Sequence, residues 1–271
     1  MLGALNRLAR LPRLPDLLTT ANLGCGVASI LLASQGQLTI ACGLIFLAAV
    51  FDVFDGLSAR ALGGGTPLGA QLDSLADMVS FGVAPGMLIW FVFKEGGPGD
   101  MIWYQEGGGS RWWSIPAASV LVPIASAWRL AKFNIDTRQA TGFLGLPTPA
   151  NALFWASVPL IFITGMVPYR ELAALHAPGS DLLMRLVYDS VHGVSSVIFW
   201  AALILGILML SELPLPGLKL KHKGWQGNEV IFLLIGIGAV LVLLYGILAV
   251  PLILIIYLLS PLWGKLFPKV N

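Results

Sequence analysis

The chain has 271 residues, of which 57% are hydrophobic and only 11% charged, with a formal net charge of +2 and a mean hydropathy of +0.83. Soluble domains carry about 25% charged residues and disordered chains are polar and highly charged, so composition excludes both. The charge balance is too even to argue for nucleic acid, and two cysteines inside apolar stretches cannot build a disulfide scaffold.

In chain order, residues 1–13 space Leu2, Leu5 and Leu8 by three with Arg7, Arg10 and Arg13 between them, the pattern of a short helix lying in a membrane interface. A signal peptide also starts with basic residues, but Asp16, Thr19, Thr20 and Asn22 interrupt the apolar centre it needs. Eight apolar runs then read as membrane helices near 17–35, 37–62, 68–93, 115–134, 151–167, 191–211, 229–245 and 247–264. Around Gly246 the last two are compatible with a tight hairpin or with one broken element. The stretches 95–110 and 168–190 read as extracytoplasmic loops. With the N-terminus inside, twelve Lys and Arg fall on the cytoplasmic side and four on the other, which obeys the positive-inside rule. An even number of spans returns the C-terminus to the same side. The organisation expected is an interfacial helix over 1–13, a catalytic membrane core over 14–211, and a cytoplasmic loop with a C-terminal transmembrane hairpin over 212–271.

The informative stretch begins at Phe51. Asp52 and Asp55 fall on the second helix, Asp73 and Asp77 on the third. One ionised carboxylate at mid-bilayer costs about 2.5–3.5 kcal/mol, so four cost on the order of 10 kcal/mol, and function is the default explanation. Spacings of three and four put each pair on one helix face. A connection over about 62–67 is short enough to make the two helices an antiparallel pair, with Gly56, Ala59, Gly69, Ala76 and Ser80 as small residues on the facing surfaces. Converging carboxylates with oxygen-only ligation point to hard divalent cations, Mg²⁺ or Mn²⁺. Four of them suit a pair of ions about 3.5–4 Å apart, as in phosphoryl displacement. The acids lie at the cytoplasmic ends of their helices, where a lipid with a phosphate-bearing headgroup would meet them. Arg60 and Thr66 stand at the mouth of the pair to contact phosphate.

The run Asp52-x-x-Asp55-Gly56-x-x-Ala59-Arg60, eight residues, then Gly69-x-x-x-Asp73-x-x-x-Asp77 resembles the complete signature of the CDP-alcohol phosphotransferases. The resemblance implies an all-α polytopic membrane helix bundle with a six-helix core, here with about two extra C-terminal helices, and a homodimer. It also implies displacement of CMP from a CDP-linked substrate by an alcohol, with two divalent metals. Carried onto this chain, Asp52, Asp55 and Asp73 become metal ligands. Asp77 becomes the general base and a further contact to metal. Thr19, Gly56, Ala59, Arg60, Thr66 and Gly69 line the CDP-diacylglycerol site.

Further stretches resemble the bacterial phosphatidylserine synthase branch of that family. They are Pro15-Asp16-Leu17-Leu18-Thr19 with Asn22, Leu23 and Gly26; Ser80 to Pro85; Arg129 to Asn134; and Gly145 to Pro149. Asp16 stands where the branch usually has Asn, and either residue caps a helix. The implied reaction joins L-serine to CDP-diacylglycerol in the cytoplasmic leaflet of a bacterial inner membrane, giving phosphatidylserine and CMP. Arg129, Lys132 and Asn134 are the candidates for holding serine, against a background of ordinary interfacial snorkelling. Glycerol 3-phosphate or inositol phosphate as acceptor, and a cation transporter built on the Asp cluster, are the competing readings. His176, His192 and His222 are scattered and form no phospholipase-D-like pattern, and Gly63-Gly64-Gly65 reads as a flexible hinge, since no Gly-Lys-Ser/Thr follows it.

Overall fold

Apolar runs of this length become helices because hydrocarbon offers backbone amides no alternative partner. The computed structural model describes residues 13–94, 113–136, 143–163, 181–216 and 229–263. The interfacial helix expected over 1–13 (Arg13 apart), the loop 95–110, the side chains of the three histidines and the basic loop after residue 216 lie outside them.

Helix α1 (Leu14–Ser34) opens with Pro15 in its first turn, and the Asp16 carboxylate accepts the Arg13 backbone N–H at 2.9 Å. It ends where Gln37 N–H reaches back to the Leu32 carbonyl at 2.9 Å and Gly36 N–H to Ala33 at 3.0 Å, which reverses the chain into α2 (Leu38–Ala61). The end of α2 repeats the device. Gly64 N–H bonds the Ala59 carbonyl at 2.9 Å and Gly63 N–H the Arg60 carbonyl at 3.3 Å, with φ of +88° and +109° at Gly63 and Gly64. These left-handed values suit glycine, so Gly63 and Gly64, the first two of the three-glycine run, close the C-terminus of α2. The chain then enters α3 (Pro67–Asp77), whose first turn is capped by Thr66 Oγ1 accepting from Gly69 N–H at 2.9 Å.

Immediately after Asp77 the third span passes through a π-helical turn, Met78–Val83, before resuming as α4 (Ala84–Lys94). The widened turn accommodates Pro85, which has no N–H to offer the carbonyl four residues earlier. Helix α5 (Ser114–Ile135) packs against α4 and α7, and α6 (Thr148–Ile163) packs against α2 and α4. The sequence did not foretell the two-residue strands β1 (Phe143–Leu144) and β2 (Pro214–Leu215), which pair antiparallel and tie the approach to α6 to the end of α7. Helix α7 (Asp181–Leu210) starts inside the stretch expected to be a loop. Asp181, Arg185 and Asp189 lowered the hydropathy of those turns without removing their helical pattern, and a helix can project beyond the bilayer.

The last segment is a hairpin, which settles the alternative left open at Gly246. Helices α8 (Glu229–Tyr245) and α9 (Ala249–Trp263) flank a 3₁₀ turn, Gly246–Leu248. A Cβ built on Gly238 would stand 3.6 Å from Ile253 Cδ1, a contact that only antiparallel helices make. Helix α9 rests on α6 and β2. Among the described residues, five helical stretches are long and apolar enough to cross a membrane: Leu14–Ser34, Leu38–Ala61, Pro67–Val92, Ser114–Ile135 and Ile231–Pro261. The last of these contains the α8–α9 hairpin, and Ser196–Leu210 adds a shorter apolar helix. The protein is an all-α, multi-pass membrane protein.

Candidate active site

The turns after α1 and α2 return the chain so that α1 packs against both α2 and α3, and polar residues of the three helices meet beside it. Asp52 and Asp55, one turn apart on α2, and Asp73 on α3 each offer a carboxylate oxygen within 4.8 Å of the others. Like charges at that distance repel by about 3.5 kcal/mol per pair at an effective dielectric of about 20, so the cluster as a trianion needs a counter-cation. Asp55 is held by the Thr19 hydroxyl, which donates to its Oδ2 at 2.7 Å. Asp77, one turn beyond Asp73, stands outside the group of three but within electrostatic range of all of them. It is buried, and its Oδ1 accepts a hydrogen bond from Asn22 Nδ2 at 3.1 Å.

Beside the carboxylates lies a cleft of about 210 Å³. Thr19, Gly56, Ala59, Thr66 and Gly69 all line it, together with Asp55 and Asp73. The Arg60 side chain folds back along α2, so that a Cβ on Gly56 would come 3.4 Å from Nη1. A Cβ on Gly69 would come 2.9 Å from Asp16 Oδ1 and 3.1 Å from Thr66 Oγ1. Small residues are therefore what keep the cleft open. Arg13, Asp16, Gly64 and Gly65 also face it, none of them singled out for the site from the sequence.

Arg129, Lys132 and Asn134 do not converge on this cleft. Arg129 is buried, with Nε donating to the Leu146 carbonyl at 3.0 Å and Nη2 to Gly145 at 3.5 Å. Lys132 Nζ donates to the carbonyl of Leu210, the last residue of α7, at 3.1 Å. Lys132 thus braces a carbonyl at the C-terminus of α7, where orphan acceptors and the helix dipole favour positive charge, while Arg129 braces the link between β1 and α6. The gap beside them, bordered by Ser211 and Glu212, is about 10 Å³, room for roughly one water. Asn134 instead turns toward α3, donating from Nδ2 to Ser74 Oγ at 3.0 Å, between Asp73 and Asp77.

A family model described as CDP-alcohol phosphatidyltransferase matches residues 13–208. The chain belongs to that family. Among its relatives, the archaetidylserine synthase of Methanothermobacter thermautotrophicus is 34% identical over 188 residues, 68% of this chain and 72% of that protein. The CDP-diacylglycerol–serine O-phosphatidyltransferase of Helicobacter pylori is 30% identical over 231 residues, 84% of this chain and 81% of that protein. The Bacillus subtilis protein of the same name is 31% identical over 140 residues, half of this chain and 69% of its own length.

The acidic group of this CDP-alcohol phosphatidyltransferase fits a divalent cation on its own geometry. Three carboxylates share one small volume, and the buried Oδ1 of Asp73 has no hydrogen-bond partner, an unpaired acceptor that a cation would satisfy. Asn22 belongs to the Pro15–Gly26 motif, which by itself assigns it no role. Its signal was present in the spacing: Thr19 and Asn22, three apart on an apolar helix, lie on one face, and each reaches a different aspartate.

Proposed function

We propose that this protein transfers the phosphatidyl group from CDP-diacylglycerol to L-serine, giving phosphatidylserine and CMP. The observation that carries the reading is the convergence of Asp52, Asp55 and Asp73 beside a cleft kept open by glycines at 56 and 69. The family and the names of its serine-transferring relatives support the same reading. Asp52, Asp55, Asp73 and Asp77 would hold a pair of divalent cations, Mg²⁺ or Mn²⁺, which when bound would supply neutralising charge for the diphosphate and the leaving group.

Thr19, Gly56, Ala59, Arg60, Thr66 and Gly69 form the CDP-diacylglycerol site, with Arg60 as the cationic contact to phosphate. The serine hydroxyl attacks the β-phosphorus, which carries diacylglycerol, and the bond from that phosphorus to the bridging oxygen breaks. CMP leaves with that oxygen, and the hydroxyl proton passes to the carboxylate of Asp77. Arg129 has five N–H donors and gives two to carbonyls. The remainder serve the serine carboxylate, with Lys132 and Asn134 as neighbours on α5. The catalytic unit spans 14–211, works as a homodimer, and faces the cytoplasmic leaflet of a bacterial inner membrane with both termini inside. The twelve-to-four bias of basic residues supports that orientation.

Detergent-purified protein with labelled serine and CDP-diacylglycerol tests this directly. Phosphatidylserine and CMP appear together with Mn²⁺ or Mg²⁺, and EDTA abolishes both. CMP release only with glycerol 3-phosphate or inositol phosphate changes the acceptor. Cation flux into proteoliposomes without CMP release from any alcohol overturns the transferase reading.

A further inference from the structure

Asn22 sits on α1 with no solvent exposure at all, in a helix that hydrocarbon and apolar neighbours would otherwise fill. Its Nδ2 donates to Asp77 Oδ1 at 3.1 Å, while its own Oδ1 has no partner. A buried amide oxygen left unpaired costs roughly 1–3 kcal/mol, so this amide is poorly justified as a piece of core. Only its N–H end can face a carboxylate, so Asp77 dictates which way the amide points.

The backbone around Asn22 is fixed as firmly as the side chain. Ser80, in the π turn that follows Asp77, donates from Oγ to the Asn22 carbonyl at 2.9 Å. One turn on, Gly26 has no Cβ where one would lie 2.7 Å from Ser80 Cα. The close approach of α1 to the π turn therefore sets the distance over which the amide reaches the carboxylate. Two anchors on one residue, to the side chain of Asp77 and to the turn just beyond it, leave the second oxygen of Asp77 as the one not held by Asn22.

We infer that Asn22 is a positioning residue for the transfer reaction: it fixes the Asp77 carboxylate in the orientation that receives the acceptor hydroxyl proton. This rests on the assignment of Asp77 as base proposed above. Asn22 is fully buried and does not line the cleft; it acts through Asp77, and its loss shows in turnover rather than in substrate binding.

The test compares Asn22→Leu, Asn22→Ala, Asp77→Asn and the double variant Asn22→Leu/Asp77→Asn in detergent. Turnover is read as CMP release with whichever alcohol the parent protein uses, so a failure of serine as acceptor leaves this test intact. Binding of CDP-diacylglycerol with Mn²⁺ and no acceptor is measured by calorimetry. Asn22→Leu and Asn22→Ala should each lose roughly 10–100-fold in kcat, within the span of a general base's contribution. At saturating Mn²⁺, KM for CDP-diacylglycerol and its calorimetric Kd should stay within about threefold, since neither depends on the orientation of the proton acceptor. The double variant should be no slower than Asp77→Asn alone. Parent-like kcat in both Asn22 variants, or CDP-diacylglycerol binding lost in step with kcat, or an additive double variant overturns the inference. Full activity in Asp77→Asn removes the base assignment itself, an outcome distinct from a dead Asp77→Asn beside a fully active Asn22→Leu.

Discussion

Two buried polar groups in this protein behave in opposite ways. Around Arg129 the backbone groups are paired: Nε and Nη2 hold the Leu146 and Gly145 carbonyls, Leu146 N–H holds Leu208 O at 3.0 Å, and Gly145 N–H holds Leu213 O at 2.9 Å. Around the aspartates, atoms are left over. Among the described residues, the two buried side-chain polar atoms without a partner are Asn22 Oδ1 and Asp73 Oδ1; Asp73 lines the cleft, and Asn22 is bonded to Asp77, one turn further along the same span. A satisfied network stabilises a fold; an unsatisfied one marks where something else binds. The comparison separates a joint that holds α5, α6 and α7 together from a site built to take a ligand.

The sharpest way to break that comparison is at Asp73. Replacing one oxygen by an amide in Asp73→Asn removes a charge from the proposed cation site while keeping the volume. CMP release should fall at least about 1,000-fold, while thermal stability in the absence of metal stays level or rises, because a repulsive charge has gone. A variant as active as the parent would mean that the unpaired oxygen of Asp73 is incidental.

Arg129→Lys probes the other side with an intermediate effect. Lysine keeps the charge and loses the planar fork, leaving the Leu146 and Gly145 carbonyls without a donor; the expected loss is about 2–3 kcal/mol of stability, read as a lower Tm. At a temperature where the variant remains folded, KM for serine should rise about tenfold through loss of the guanidinium donors proposed for the serine carboxylate, with KM for CDP-diacylglycerol unchanged. A Tm shift with an unaltered serine KM would make Arg129 a joint and nothing more.

These two regions were not equally legible in the sequence. The acidic face was readable because its logic is local. Charges are so expensive in hydrocarbon that four of them at helical spacing on consecutive helices identify the convergence of their carboxylates, although the helix packed against both α2 and α3 is α1. The helix ends were readable for the same reason, since hydropathy falls at Ser34, Ala61 and Ile135 whatever the tertiary structure. The surroundings of Arg129 were not. Its partners are backbone carbonyls at 145 and 146, and Lys132 meets one at 210; a carbonyl leaves no trace in residue identity. The β1–β2 pair was hidden because two-residue strands have no period to detect. Asn22 fell between the cases: its polarity was visible, but its partner, 55 positions away, was not.

The smallest effect tests the hairpin α8–α9, which follows the end of the family match at residue 208. This hairpin touches the core through α9, where the Tyr257 hydroxyl donates to the Pro216 carbonyl at 3.3 Å, just past β2. Because β2 pairs with the strand that leads to Gly145 and Leu146, that hydrogen bond links the hairpin to the Arg129 joint. A single neutral hydrogen bond contributes about 0.5–1.5 kcal/mol, and at 3.3 Å this one belongs at the lower end. Tyr257→Phe should therefore lower Tm by a degree or two and leave kcat and both KM values unchanged. If serine KM rises instead, the hairpin is holding the α5–α6 approach in place for the acceptor, and the distinction between a structural joint and a ligand site no longer holds on that side of the molecule.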